Sequence, residues 1–115
     1  MEESNNILSI LDNYMHDNPD EIAQRLATDF RRRRIEKNLT RVQVAERSGV
    51  AVSNIVRFEQ KGLISLHNFI AIVMTLGYTT EVKTLLSQPK YSTMQELLQI
   101  RRNSTKKKPY PIKHI

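Results

Sequence analysis

Residues 39–59 read LTRVQVAERSGVAVSNIVRFE, and they contain the clearest signals for secondary structure in the chain. Thr40 has the side chain of a helix N-cap and precedes a short amphipathic segment. Gly49 follows that segment and supplies the positive φ that a tight turn requires. A second amphipathic segment begins near Val52. The stretch therefore predicts a helix-turn-helix, in which residues 52–60 form the second helix and keep a polar face outward.

The two helices are expected to pack through their inner faces. Val44 and Ala45 are the inward residues of the first helix, which we place at residues 41–48. Ile55 and Phe58 are the inward residues of the second. Because one side of the second helix is then buried, its other side chains face solvent.

The flanking sequence predicts further helices and no strands. Their expected positions are residues 5–17, 19–37, 66–76, 80–87 and 93–102. Asn38 is expected to end the second of these in the left-handed conformation, and Ser65 and Ser92 are expected N-caps. The apolar side chains expected to face the core from residues 19–37 and 66–76 are Ile22, Leu26, Phe30, Leu66, Phe69, Ile70, Val73 and Leu76. The predicted fold class is all-α.

Composition excludes several classes of protein. With 115 residues the chain is about one domain long. It has no cysteine, which excludes disulfides and thiolate metal sites. No apolar run approaches the about 20 residues that cross a bilayer, so a soluble, cytoplasmic protein is expected. The three histidines are isolated and no glycine-rich phosphate loop occurs, so we expect no enzyme, no catalytic residues, no metal and no cofactor.

The charge is unevenly distributed. Residues 1–30 contain seven acidic residues and one basic residue, whereas residues 31–115 contain five acidic and seventeen basic residues. A basic body favours a polyanionic partner, because neutralising phosphates releases counterions; a merely solvated surface is the other interpretation. RNA is disfavoured because the outward face of the motif has no aromatic residue on which bases could stack.

The motif and its surroundings resemble a known family. Residues 26–77 are similar to the lambda-repressor-like DNA-binding domain of the Cro/C1 type (XRE family). The matching motifs are Leu39-Thr40, Val44-Ala45, Ser48-Gly49-Val50, the run from Ser53 to Glu59, and a helix from Ser65-Leu66 to Leu76-Gly77.

The resemblance implies a lambda-repressor-like helix-turn-helix bundle with extra N-terminal and C-terminal helices. We place an amphipathic helix at residues 1–18, the DNA-binding domain at residues 19–88, and a C-terminal helix with a basic tail at residues 89–115. The implied protein is a nucleoid-associated transcriptional regulator, predicted to be a repressor, that binds a palindromic operator in double-stranded DNA as a homodimer. The candidates for the dimer interface are the N-terminal helix and the helices at residues 80–87 and 93–102, of which the last two are favoured; for each, the alternative is packing on the protein's own core.

The resemblance also assigns roles to individual residues. The residues expected to read bases are Ala51, Val52, Ser53, Val56 and Arg57. Arg57 is the best candidate because a guanidinium can pair with both O6 and N7 of guanine. Val52 offers an apolar contact with a thymine methyl group. Ser53 has the alternative role of capping the helix.

Phosphate contacts and one ion pair are implied as well. The residues expected to bind phosphates are Arg41, Asn54, Gln60 and Lys61. Arg34 is expected to pair with Glu59 and so to tie the first core helix to the recognition helix. The other arginines of the run at residues 31–34 point in different directions, because successive helical residues turn by about 100°. For Arg31 and Arg32 a solvated face is favoured, and a phosphate contact is the alternative.

A narrower resemblance leaves an alternative function open. The segment FEQKGLISL at residues 58–66 is similar to HipB-like regulators, which are antitoxins paired with HipA-type toxin kinases. The alternative is therefore an antitoxin that binds a kinase toxin and autoregulates its operon. A neighbouring toxin reading frame would favour this alternative.

Overall fold

A computed structural model describes residues 17–106, which form six α-helices and no strand. The helices are α1 (Pro19–Glu36), α2 (Arg41–Ser48), α3 (Val52–Lys61), α4 (Leu66–Thr75), α5 (Thr79–Lys83) and α6 (Met94–Asn103). The all-α fold class is confirmed. The helix expected before residue 17 and the tail beyond residue 106 lie outside the described residues.

The chain divides into two compact units, residues 1–82 and 83–115. The first unit contains α1 to α4, most of α5 and the hydrophobic core. In the second unit, residues 83–106 are the described part, and none of them is buried. The division expected from the sequence, between residues 88 and 89, falls a little further along the chain.

Local hydrogen bonds and a glycine fix where the first helix of the helix-turn-helix begins and ends. The Thr40 hydroxyl accepts from the backbone N–H of Gln43 at 3.0 Å, and the Gln43 side chain accepts in return from the Thr40 N–H at 2.8 Å. This reciprocal capping box begins α2. Gly49 ends the helix with φ of 77°. The predicted bounds of α2, residues 41–48, are confirmed.

The core lies between helices α1, α2, α3 and α4. Phe58 is its central side chain, with its ring 5.7 Å from that of Phe30 and 5.6 Å from that of Phe69 in edge-to-face geometry. The buried apolar residues are Ala27, Phe30, Leu39, Val44, Val50, Ile55, Phe58, Ile72, Val73 and Leu76. Because two core residues of α3 are almost inaccessible, the helix is fixed in one orientation.

The apolar stripe predicted for α1 is wrong in two of its three members. Ile22 and Leu26 are 49% and 45% exposed, whereas Ala27 is fully buried. The reason is a close approach between α1 and the residues after α3: a Cβ atom at Gly62 would lie 3.1 Å from the carbonyl carbon of Ala23. Only small side chains fit at such a contact, so the alanines face inward and the larger residues turn away.

The stripe predicted for α4 also needs correction. Leu66 is exposed, while Ile72, which was not expected in the core, is fully buried. Leu66 directly follows the N-cap Ser65, and the helix turns its inner face to the core only from Phe69 onward. The predicted cap Ser65 is confirmed, since its hydroxyl accepts from the N–H of Asn68 at 3.2 Å.

Two predictions beyond α4 are wrong in their boundaries. The helix expected at residues 80–87 is α5, Thr79–Lys83, which ends four residues early, and Leu85 and Leu86 beyond it are exposed. The last helix is capped by Thr93, whose hydroxyl accepts from the N–H of Glu96 at 3.0 Å. The expected cap, Ser92, instead donates its backbone N–H to the Glu96 carboxylate at 2.7 Å.

Candidate nucleic-acid interface

Helix α3 has a buried side and an open side. Ile55 is fully buried and Phe58 nearly so. Val56 is half-buried. The exposed residues of the helix and its N-cap are Ala51, Val52, Ser53, Asn54, Arg57, Gln60 and Lys61. Every residue expected to read bases therefore lies on one helix that the core holds rigidly.

The start of α3 is open. Its N-cap is Ala51, which has no side chain able to accept a hydrogen bond, and the N–H of Asn54 bonds the Ala51 carbonyl at 3.0 Å. Ser53 is the second residue of the helix, so the interpretation of Ser53 as a cap is wrong. Its hydroxyl is exposed at the end of the helix that carries positive partial charge.

An open groove of about 490 Å³ runs beside the recognition helix. Val52 and Val56, one turn apart on α3, form one side of it, and Ile35 and Val42 contribute apolar surface from α1 and α2. Arg41 also lines the groove. Val52 and Val56, two of the residues predicted to read bases, thus line the same groove as Arg41, which is predicted to bind phosphate.

The structure brings Arg34 and Glu59 together as a two-point ion pair. Nε of Arg34 donates to Oε2 of Glu59 at 2.7 Å, and Nη2 donates to Oε1 at 3.1 Å. Nη1 donates to the carbonyl of Leu39 at 2.8 Å. The Glu59 side chain is 1% exposed. This pair links α1, the α1–α2 connection and α3, and so orients the recognition helix.

Two further arginines reach the same carboxylate, which the sequence analysis missed. Nε of Arg41 donates to Oε1 of Glu59 at 2.9 Å, and Nε of Arg31 lies 3.9 Å from that oxygen. No spacing in the sequence links these residues, because only the packing of three helices brings them together. The positive charge at position 41 was the one feature of the sequence that could have indicated a contact with Glu59.

The other arginines of the run at residues 31–34 point elsewhere. Nη1 of Arg32 lies 3.7 Å from Asp29, and Nη1 of Arg33 donates to Glu36 at 2.6 Å. Both are pairs within α1, as expected when successive side chains turn by about 100°. The run is therefore not one basic surface.

The remaining candidate phosphate ligands lie along the exposed side of α3 and are not gathered into one cluster. Asn54 is near the start of the helix, and Gln60 and Lys61 are at its end. The side-chain amide of Gln24 donates to the backbone carbonyl of Lys61 at 3.0 Å, and Lys61 is exposed.

Residues 17–106 contain neither a metal-binding cluster nor a membrane-spanning helix. Between Asp17 and Lys106, no group of three or more histidine, aspartate or glutamate side chains is arranged to hold a metal ion. In the same part of the chain, no helix is both long and apolar enough to cross a membrane.

A short capped helix, a left-handed glycine turn and a second helix with an open polar face define a helix-turn-helix DNA-binding domain. The comparison with protein families agrees, since residues 30–83 match the helix-turn-helix family model. Residues 30–83 are therefore a helix-turn-helix domain of the Cro/C1 type (XRE family). A comparison with curated proteins gave no match.

Proposed function

We propose that the protein is a sequence-specific transcriptional repressor that reads double-stranded DNA with α3. The observation that carries this proposal is the fixed exposure of Val52, Ser53 and Arg57 on a helix whose other side is locked into the core. A rigid helix that presents such side chains is the element that enters the major groove in this class of protein. Occupation of an operator by the protein would block transcription.

The base-reading residues proposed are Ala51, Val52, Ser53, Val56 and Arg57, and the phosphate-binding residues are Arg41, Asn54, Gln60 and Lys61. Arg57 supplies the strongest discrimination, because its guanidinium is exposed and able to pair with a guanine edge. Arg41 supplies positive charge at the rim of the same groove. This combination of base and phosphate contacts supports specific binding.

We further propose that the protein binds a palindromic operator as a homodimer. Two copies would place their recognition helices about 34 Å apart, one turn of DNA. Support comes from α6, which exposes Met94 and Leu98 although both are large and apolar. A helix with no buried residue gains stability by packing against another surface.

Selection of bound sequences from random duplex DNA tests the proposal. The purified protein is expected to enrich one motif with two inverted half-sites, and its affinity should fall steeply with salt because several phosphates are neutralised. The matched control is Arg57→Ala, which should fold normally and enrich a less defined motif. Recovery of unrelated sequences would refute sequence-specific recognition, and binding that is insensitive to salt would refute the proposed phosphate contacts.

The second candidate function is that of an antitoxin that binds a HipA-type kinase and represses its own operon. It is supported by the segment at residues 58–66 and by the exposed apolar residues of α6, a surface able to accept a partner. The test is to purify the product of the adjacent reading frame, if it encodes a kinase, and measure its activity with and without this protein. Unchanged kinase activity would exclude the antitoxin function.

A further inference from the structure

Three guanidinium groups converge on the carboxylate of Glu59, and they are not equivalent. Arg34 is buried and bonds both carboxylate oxygens. Arg41 bonds Oε1 through Nε alone, at 2.9 Å. Arg31 lies 3.9 Å from the same oxygen, beyond hydrogen-bonding distance. Arg34 and Arg41 thus already bond both oxygens of the Glu59 carboxylate, and Arg31 bonds neither.

The cluster has an excess of positive charge. Glu59 carries one negative charge, and the buried Arg34 balances it. Arg31 and Arg41 add two positive charges, and no other acidic side chain of the described structure pairs with either of them. Within residues 17–106, neither Nη group of Arg41 and no nitrogen of Arg31 makes a hydrogen bond. Both side chains reach solvent, so these donors are available to an anion.

We propose that Arg31 and Arg41 together bind one DNA backbone phosphate. We call these two residues the clamp, and Glu59 is the residue that positions Arg41 within it. This inference rests on the proposed DNA-binding function and adds Arg31 and Glu59 to it. The two Nε atoms lie no farther apart than the sum of their distances to Oε1, so a phosphate can accept from both groups through its two non-bridging oxygens.

The position of the clamp beside α3 indicates that its phosphate belongs to the same duplex that α3 is proposed to read. Arg41 lines the groove whose other side is formed by Val52 and Val56. A duplex that brings base edges to these valines therefore brings its backbone to the groove rim. A phosphate there would fix the register of the recognition helix, because phosphate contacts position a protein on DNA.

Glu59 acts by restricting Arg41 before DNA binds. A free arginine side chain would lose rotamer freedom when it grips a phosphate. Here Nε is already held by a carboxylate that is 1% exposed, so the two Nη groups project from a fixed point. The carboxylate does not contact DNA in this arrangement, and its effect is exerted through Arg41.

The test compares Arg31→Ala with Arg32→Ala in the full-length protein. Both side chains are 57% exposed and adjacent in α1, but Arg32 faces Asp29 and is outside the clamp. On a selected operator duplex, Arg31→Ala should reduce the slope of log affinity against log salt by about 0.9 per protomer. Arg32→Ala should leave the slope near the wild-type value. Circular dichroism melting shows whether each variant is folded.

A second variant separates positioning from charge. Arg41→Lys keeps the positive charge, but an ammonium cannot bond Glu59 through one nitrogen while offering two others to a phosphate. The affinity of Arg41→Lys should fall roughly tenfold, the loss of one charge-assisted hydrogen bond. Wild-type affinity for this variant would overturn the positioning role of Glu59.

Methylphosphonate substitution identifies the phosphate itself. Neutral linkages are introduced one at a time along a half-site, and one position should weaken wild-type binding more than binding by Arg31→Ala or Arg41→Ala, and should not weaken binding by the double variant. If wild-type protein binds the operator but Arg31→Ala and Arg32→Ala give equal slopes, the clamp is refuted and the proposed function stands. If wild-type protein binds no duplex, the proposed function fails and the clamp fails with it.

Discussion

Arg34 and Glu59 lie 25 residues apart in the sequence and form a buried, two-point ion pair in the structure. The pair joins the C-terminal half of α1 to the last turns of α3, and the third guanidinium donor of Arg34 bonds the carbonyl of Leu39. The same contacts that close the fold therefore also set the tilt of the helix proposed to read DNA.

Removing one member of this pair should strongly destabilise the protein. Arg34→Met leaves the Glu59 carboxylate buried with only partial compensation, and we expect the free energy of unfolding to fall by about 3–5 kcal/mol. Urea denaturation followed by circular dichroism measures it. Arg33→Met is the control, because its pair with Glu36 is largely exposed and worth less than about 1 kcal/mol. Equal losses in both variants would contradict the buried-pair explanation.

Two glycines with similar backbone angles should respond differently to alanine. Gly49 has φ of 77° and open space around the position of a Cβ atom, so Gly49→Ala should cost about 1–2 kcal/mol of left-handed strain. Gly62 has φ of 70°, and its Cβ would lie 3.1 Å from the backbone of Ala23. Gly62→Ala should therefore lower the melting temperature more. A loss no greater than that of Gly49→Ala would show that α1 moves aside without cost.

Replacing Arg57 and replacing Lys61 should have different effects on DNA binding, because Arg57 is proposed to read a base and Lys61 to bind a phosphate. Arg57→Ala is expected to lower specific affinity by about 1–3 kcal/mol and to relax preference at one base pair. Lys61→Ala should weaken binding to all duplexes alike, since a phosphate contact carries no sequence information. Titration against a panel of single-base operator variants checks both. A uniform loss for Arg57→Ala would reassign that residue to a phosphate.

The apolar side of the groove predicts recognition of a thymine methyl group. Replacing single thymines of the operator by deoxyuridine should weaken binding at one position per half-site, by about 0.8 kcal/mol for the lost methyl contact. In Val52→Ala the same replacement should have little further effect. A double-mutant cycle over protein and DNA gives the coupling, and a coupling energy of zero at every thymine would remove Val52 from base reading.

The apolar row of α6 should control the oligomeric state. Leu98→Glu places a charge beside Met94 and Leu97, and we expect it to shift the protein from dimer to monomer in sedimentation equilibrium. Gln99→Glu is the matched control. It adds the same charge, but Gln99 lies on nearly the opposite side of α6 from the apolar row. A dimer that survives Leu98→Glu would place the interface on another surface.

The predictions from sequence succeeded where the signal was short-range. The bounds of α2 and the cap at Ser65 were found because each depends on residues three or four positions apart. The left-handed residue Asn38, with φ of 57°, follows from the same local chemistry. The all-α class and the helix-turn-helix follow from these local signals taken together.

Only the tertiary structure decided which side of α1 is buried and what Arg41 contacts. Ile22 and Leu26 were predicted to face the core because they are the more hydrophobic side chains. The close approach of α1 to Gly62, however, admits only small side chains at the contact. Arg41 meets Glu59 because two separate helices bring them together. The chain by itself encodes helix ends and turns through neighbouring residues, whereas helix spacing and shared charge partners depend on several helices packing at once.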